Sequence, residues 1–333
     1  LLHAVDESTR ARVCERIKQA WKFQKEYTGL LDDGCNPAEA LSRITKKVVC
    51  DEGINNKSIT CSSISLRYET KEGWLFAVHD TRYRVGYPKQ APEPQSLDIS
   101  MDGDKSVCCC RALVLAPFHD EFERENDGNG DEADDVAKLL RKAGCEVCEK
   151  YNEEATADYF KTFGDYDLVV VTSHGAALAG SGQNMYVLAN QRFNEKNLDL
   201  FYNDLANQRI GVVAQGDNCD DGLFHLYPSF FDTYTKPKEG LIVYFGACEL
   251  GKQSQFASVF SGKSAASYGS YTEEVTSEFA APTGLAFVKH LLKGGTVGEF
   301  QASMGRGRDP ITGAEYDTAP ASGDTLQCHL KGN

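Results

Sequence analysis

Two short segments set reactive side chains apart from the rest of the chain. "VVVTSHGA" at 169–176 and "VYFGACELG" at 243–251 are apolar runs that break into small residues around one reactive group, His174 in the first and Cys248 in the second. A thiol nucleophile needs an imidazole beside it, to take its proton or hold it as an ion pair and then to protonate a leaving amine. Backbone N–H groups aimed at the tetrahedral oxyanion add to this, and Gly175 and Cys248 are the pair placed to supply them. Gly175 lets the backbone approach a substrate closely. Gly246 and Ala247 are small and leave room for an extended peptide. A helix starting directly after Cys248 would favour the thiolate. Each residue also has a purely structural reading, since the chain has 7 histidines and 12 cysteines. What singles these two out is their place, each at the end of an apolar run.

The surrounding pattern predicts elements that deliver both to one rim. From residue 107 strand-like runs alternate with helical ones. The strands are "VCCCRALVLAP", "CEVCEKY", "YDLVVVTSH", "GLIVYFGAC" and "KSAASYGS"; the helices include "DEADDVAKLLRKAG", "NEEATADYFKTFG", a segment with an internal Pro282, and "TVGEFQASM". Such alternation predicts a mostly parallel sheet covered by helices on both faces. Ligands bind at the carboxyl ends of its strands, and both segments end there. A 65-residue stretch, 176–240, separates the third strand from the fourth and reads as an insertion, with a helix in "EKNLDLFYNDLANQ" and a strand in "RIGVVAQ". Its glycine-rich flanks are expected to be nicked first by proteases.

The N-terminal part differs. Residues 6–26 read as an amphipathic helix, and Asn36-Pro37 as the cap and first position of a second. "SITCSSISLRYE" and "WLFAVHD" read as two strands joined by the turn "TKEG". A proline-rich stretch, 86–98, reads as a linker. The expected organisation is a small α+β module with its linker over 1–100 and an α/β domain over 101–333.

A formal net charge of −14 argues against nucleic acid and anionic membranes as partners. The expected partners are a protein or peptide substrate and a regulatory protein. No run is apolar and long enough to span a bilayer. Three adjacent cysteines, 108–110, cannot easily all find disulfide partners, and a large core makes staples unnecessary. The thiols are therefore expected to be mostly reduced, which favours a cytoplasmic over a secreted location.

"TSHG" and "GACELG" at the ends of buried strands resemble the caspase-type cysteine peptidases over roughly 107–305, nearest in character to the clostripain-like and CHAT-like members. The resemblance implies an α/β caspase-like fold and a thiol endopeptidase with Cys248 as nucleophile and His174 as its partner. It also implies an oxyanion contact from Gly175 and no cofactor. Two features depart from true caspases: Gly246 stands where they have Gln, and "CELG" replaces Cys-Arg-Gly. The His-to-Cys interval also exceeds their roughly 50 residues. Cleavage after Asp is therefore not implied. In this family the specificity pocket lies beside the cysteine strand and the strand after it. Here that strand offers Tyr268 and Tyr271 as walls and Glu273 or Glu274 as anions for an Arg or Lys side chain. Asp217, Asp220 and Asp221 are further candidates. The competing reading makes Thr272 a helix cap with both glutamates in the first turn. The competing function is a catalytically silent caspase-like binding scaffold.

Two other motifs carry less. In "DGNGDEADD", Asp127, Asn129 and Asp131 match the first, third and fifth ligands of a calcium loop. Glu132 stands where that loop needs Gly and Lys138 where it needs Glu. A solvated loop capping the next helix fits better. Cys145-x-x-Cys148 has half of a zinc site's spacing, but reads more naturally as strand residues.

Overall fold

The computed structural model describes residues 5–61, 65–79, 110–125, 132–177, 185–214, 216, 218–251, 254–261, 266–272, 275, 277–304 and 316–319. In chain order these form α1 (Glu7–Asp32), α2 (Pro37–Val49), β1 (Ile54–Cys61), β2 (Ser65–Thr70), β3 (Leu75–His79), β4 (Arg111–Ala116), α3 (His119–Glu125) and α4 (Glu132–Lys142). There follow β5 (Glu146–Tyr151), α5 (Ala157–Phe160), β6 (Leu168–Thr172), β7 (Gly175–Ala177), β8 (Met185–Arg192), α6 (Glu195–Ala206), β9 (Ile210–Ala214), β10 (Gly222–Leu226) and α7 (Pro228–Tyr234). The last are β11 (Ile242–Gly246), α8 (Ser254–Ser261), β12 (Ser267–Tyr271), α9 (Ser277–Leu292), α10 (Val297–Met304) and β13 (Tyr316–Ala319).

Two compact units result. One gathers the described residues of 1–89 with those of 191–230. The other gathers the described residues of 90–177 and 231–333, with 185–190. The division is not the linear one that the sequence suggests, because most of the expected insertion groups with the N-terminal residues.

The second unit is an α/β structure around a six-stranded sheet ordered β13-β12-β11-β6-β4-β5. Its five strands from β12 to β5 run parallel, and β13 pairs antiparallel at one edge. β4, β6 and β11 are near-continuous apolar runs because both their faces are covered. On one face Ala112, Val114, Val170, Ile242 and Tyr244 pack with Val136 and Leu140 of α4 and Phe287, Val288 and Leu291 of α9. On the other, Phe245 and Tyr268 join a cluster of rings from Phe163, Phe231, Phe256 and Phe260.

Cys110 and Cys145 are disulfide-bonded, with Cα atoms 4.8 Å apart, joining the residues that enter β4 and β5. Cys14 is disulfide-bonded as well. The expectation of mostly reduced thiols did not foresee this bridge: β4 and β5 are parallel neighbours in register from Arg111 and Glu146, which brings the residues before them together. Cys35, Cys50, Cys61, Cys148 and Cys248 take part in no disulfide. Among the described residues no helix is long and apolar enough to cross a membrane.

The first unit is held by α1, whose buried Val13, Ile17, Ala20, Phe23, Tyr27 and Leu31 form one stripe. Asp6 caps it, accepting from Thr9 N–H at 2.9 Å. Asn36 and Pro37 open α2 as their types predict. The run 58–69 is not one strand but parts of two, β1 and β2, paired antiparallel. β3 pairs with β2 and packs against β9. Asp199 of α6 accepts from Val5 N–H and from the Arg10 guanidinium, fastening the start of the chain.

Candidate active site

The second unit places His174 and Cys248 just past the carboxyl ends of two adjacent central strands. β6 and β11 are parallel neighbours with Thr172 level with Gly246. Ser173 N–H donates to the Gly246 carbonyl at 3.2 Å, so the pairing continues past the strands. His174 and Cys248 each lie two residues beyond the level pair. The two rims then touch at Gly175. A Cβ there would sit 2.7 Å from the Cys248 carbonyl oxygen and 3.2 Å from the Ala247 Cβ. This position needs glycine for space.

His174 is half-buried in a clamp built by the turn and helix after β4. Its Nε2 lies 3.1 Å from Glu121 Oε1. Phe118 and Phe122 pack on the imidazole with ring centroids at 4.8 and 5.0 Å. Residues 118, 121 and 122 have i, i+3, i+4 spacing and so share a helical face. Asn190 of β8 donates its side-chain N–H to the Pro117 carbonyl at 2.7 Å and steadies the turn that starts α3. His174 itself is tied down by its carbonyl, which accepts from Leu188 N–H at 3.0 Å.

Cys248 is also half-buried. Val275 N–H lies 3.4 Å from its sulfur and can donate to it, and the Val275 carbonyl lies 3.7 Å away. A thiol can donate to that carbonyl, and a thiolate can accept from that N–H. The cysteine turn is pinned from β12 and by its own backbone. Tyr268 Oη donates to the Leu250 carbonyl at 3.0 Å, Ser270 Oγ donates to the Phe245 carbonyl at 3.0 Å, and Gly251 N–H donates to the Tyr271 carbonyl at 2.7 Å. Glu249, directly after the cysteine, has φ of 60°, a left-handed conformation that only tight turns impose on such a residue. Residues 248–251 form a turn and the described part of the next helix, α8, starts at Ser254, so among the described residues no helix N-terminus sits at Cys248.

The residues expected to wall a specificity pocket do not form one among the described residues. Tyr268 and Tyr271 are core residues rather than pocket walls. Tyr268 stacks in the aromatic cluster. Tyr271 is fully buried, with its hydroxyl 2.9 Å from that of Tyr244. Burial, reinforced by nearby Glu132, pushes the Tyr271 phenol well above its ordinary range. Among the described residues Gly246 and Ala247 do not border an open groove either. A Cβ on Gly246 would lie 2.8 Å from the carboxylate of Glu132, and Ala247 is buried. Glu273, Glu274 and Asp217 lie outside the described residues, as do Asp127, Asn129 and Asp131 of the calcium-like loop. Asp220 and Asp221 belong to the unit that does not hold Cys248. Asp221 there accepts from Asn218 N–H at 2.9 Å.

Beside His174, a cleft of about 780 Å³ is lined by Phe118, Tyr151, Asn152 and Asn190 and by Asp120, Glu121, Glu149, Glu153 and Glu154. It adjoins the His174 clamp through Phe118 and Glu121. Asn152 has φ of 48° at its edge. Sequence reasoning missed this wall and the clamp. The signal for the clamp was Phe118-x-x-Glu121-Phe122 directly after a buried strand. Among the described residues no group of three or more His, Cys, Asp or Glu side chains could hold a metal ion.

No family model and no curated protein matches the chain. Among solved structures, a Geobacter sulfurreducens protein determined as a structural-genomics target aligns at 13% identity with a TM-score of 0.35, over 65% of this chain and 97% of its own.

Proposed function

We propose that the chain is a cysteine endopeptidase of caspase-like type, with Cys248 as nucleophile and His174 as its acid–base partner. The observation that carries this is the level pairing of Thr172 with Gly246, which brings one half-buried thiol and one half-buried imidazole to the same carboxyl-terminal rim of the sheet. In the proposed reaction His174 takes the thiol proton and the sulfur adds to the scissile carbonyl carbon. The oxyanion faces the N–H groups of Gly175 and Cys248. The imidazolium then gives its proton to the departing amine, leaving an acyl-enzyme. Water, deprotonated by His174, releases the acid and restores the thiol. No cofactor takes part in these steps.

A protein or peptide substrate cleaved after Arg or Lys fits the acidic wall beside His174, where a guanidinium or ammonium would gain charge-assisted hydrogen bonds. Partner binding or self-cleavage is the proposed form of activation. The Cys110–Cys145 disulfide favours an oxidising compartment over the cytoplasm. A matched fluorogenic series with Arg, Lys, Asp, Leu and Gly before the scissile bond tests the substrate class. Arg and Lys substrates are expected to turn over fastest; a faster Asp substrate would end the basic-specificity reading. The catalytically silent scaffold is the second reading, and hydrolysis of none of the five would favour it.

A further inference from the structure

We infer that Glu121 is a positioning residue for His174: it holds the proton on Nε2 and so leaves Nδ1 as the nitrogen that exchanges a proton with Cys248. The inference rests on the peptidase reading of the site and assigns a part to a residue that this reading does not need. A carboxylate only accepts, so the 3.1 Å contact between Glu121 Oε1 and His174 Nε2 requires hydrogen on Nε2. In a neutral imidazole the other nitrogen is then the base. The ring is also held against rotation, because Phe118 and Phe122 pack on it from the same turn of chain that carries Glu121. The two partners are 23% and 25% exposed, sheltered enough for a directed hydrogen bond and open enough for a substrate to reach the ring. Glu121 also faces the acidic cleft, so it joins the binding wall to the acid–base group. The clamp hangs on the Asn190–Pro117 contact, which fixes where α3 starts.

The test compares Glu121→Ala and Glu121→Gln with the wild-type chain. The first readout is ¹⁵N NMR of the His174 imidazole at alkaline pH, assigned with His174→Gln. The wild-type ring is expected in the Nε2–H form. A Nδ1–H fraction should appear in Glu121→Ala and be smaller in Glu121→Gln, which keeps an acceptor but loses the charge. The second readout is kinetic. Partners that orient a metal-ligating imidazole are worth about 10- to 100-fold, and the same order is expected for one that orients an acid–base imidazole. Glu121→Ala should lose that much in kcat with little change in KM, and Glu121→Gln should recover part of it. A wild-type ring in the Nδ1–H form, or a tautomer and kcat unchanged in both variants, overturns the inference. The tautomer response alone decides it if the wild-type chain hydrolyses no peptide, in which case the peptidase reading fails and the positioning role stands. Cys248-dependent hydrolysis that is indifferent to Glu121 has the opposite meaning. Glu121→Gln, nearly isosteric, keeps the test open if Glu121→Ala does not fold.

Discussion

Cys248→Ala is expected to abolish peptide hydrolysis and leave the fold intact. The side chain is small, half-buried and beyond the end of β11, so its loss opens no cavity in the core. Its contacts include Val275 N–H and C=O, and an unmade hydrogen bond of that kind costs about 1 kcal/mol. The rate should fall by at least about a thousandfold, because without the sulfur no acyl-enzyme forms. His174→Ala should lose nearly as much, and the double substitution little more, since a nucleophile and its base act as one unit. Steady-state kinetics and circular dichroism on the three variants check this. A Cys248→Ala protein that keeps a tenth of wild-type activity, beside an inactive Cys219→Ala protein, would move the nucleophile elsewhere.

Gly175→Ala is expected to damage both activity and stability. The new methyl would meet the Cys248 carbonyl oxygen at 2.7 Å, Leu250 Cγ at 3.0 Å and Ala247 Cβ at 3.2 Å. The nearest obstacle is backbone on the cysteine turn, which Tyr268 and Ser270 pin from behind. Something must shift. Overpacking of this kind costs about 1–3 kcal/mol. A shift on the order of 1 Å between the reacting groups costs about a hundredfold in rate. Thermal melts should fall by several degrees, and kcat/KM should drop far more than the melt alone explains. Wild-type kinetics in Gly175→Ala would show that the two rims do not need to touch.

The fold was legible where patterns are local. Asn36-Pro37 opened a helix, the runs at 111–116, 168–172 and 242–246 became strands, and the α/β alternation gave a parallel sheet. The rim positions of His174 and Cys248 followed from strand order. The burial of the expected pocket walls was not legible, and the reason is physical. A parallel strand buried on both faces has no alternation in its residues, so nothing in "SYGSY" says that both Tyr268 and Tyr271 point into packed layers. Glu132 looked like a misplaced residue in a metal loop. It is instead a buried carboxylate whose space is left by Gly246 and Gly284, more than a hundred residues away in the chain. Grouping of 191–230 with the N-terminal residues is equally non-local. The His174 clamp was within reach, because Phe118, Glu121 and Phe122 carry helical spacing beside a strand end.

The most direct test of Cys248 as an activated nucleophile is the order in which the thiols outside disulfides react. Limiting iodoacetamide on the native protein, followed by mass spectrometry of each cysteine peptide, gives a rate for Cys35, Cys50, Cys61, Cys148 and Cys248. Exposure alone ranks the exposed Cys50 and Cys61 ahead of half-buried Cys248. Activation by His174 and by Val275 N–H predicts the reverse, with Cys248 alkylated first and its lead lost in His174→Ala. Labelling of Cys50 and Cys61 first, with a Cys248 rate indifferent to His174, would contradict a thiol peptidase at this site.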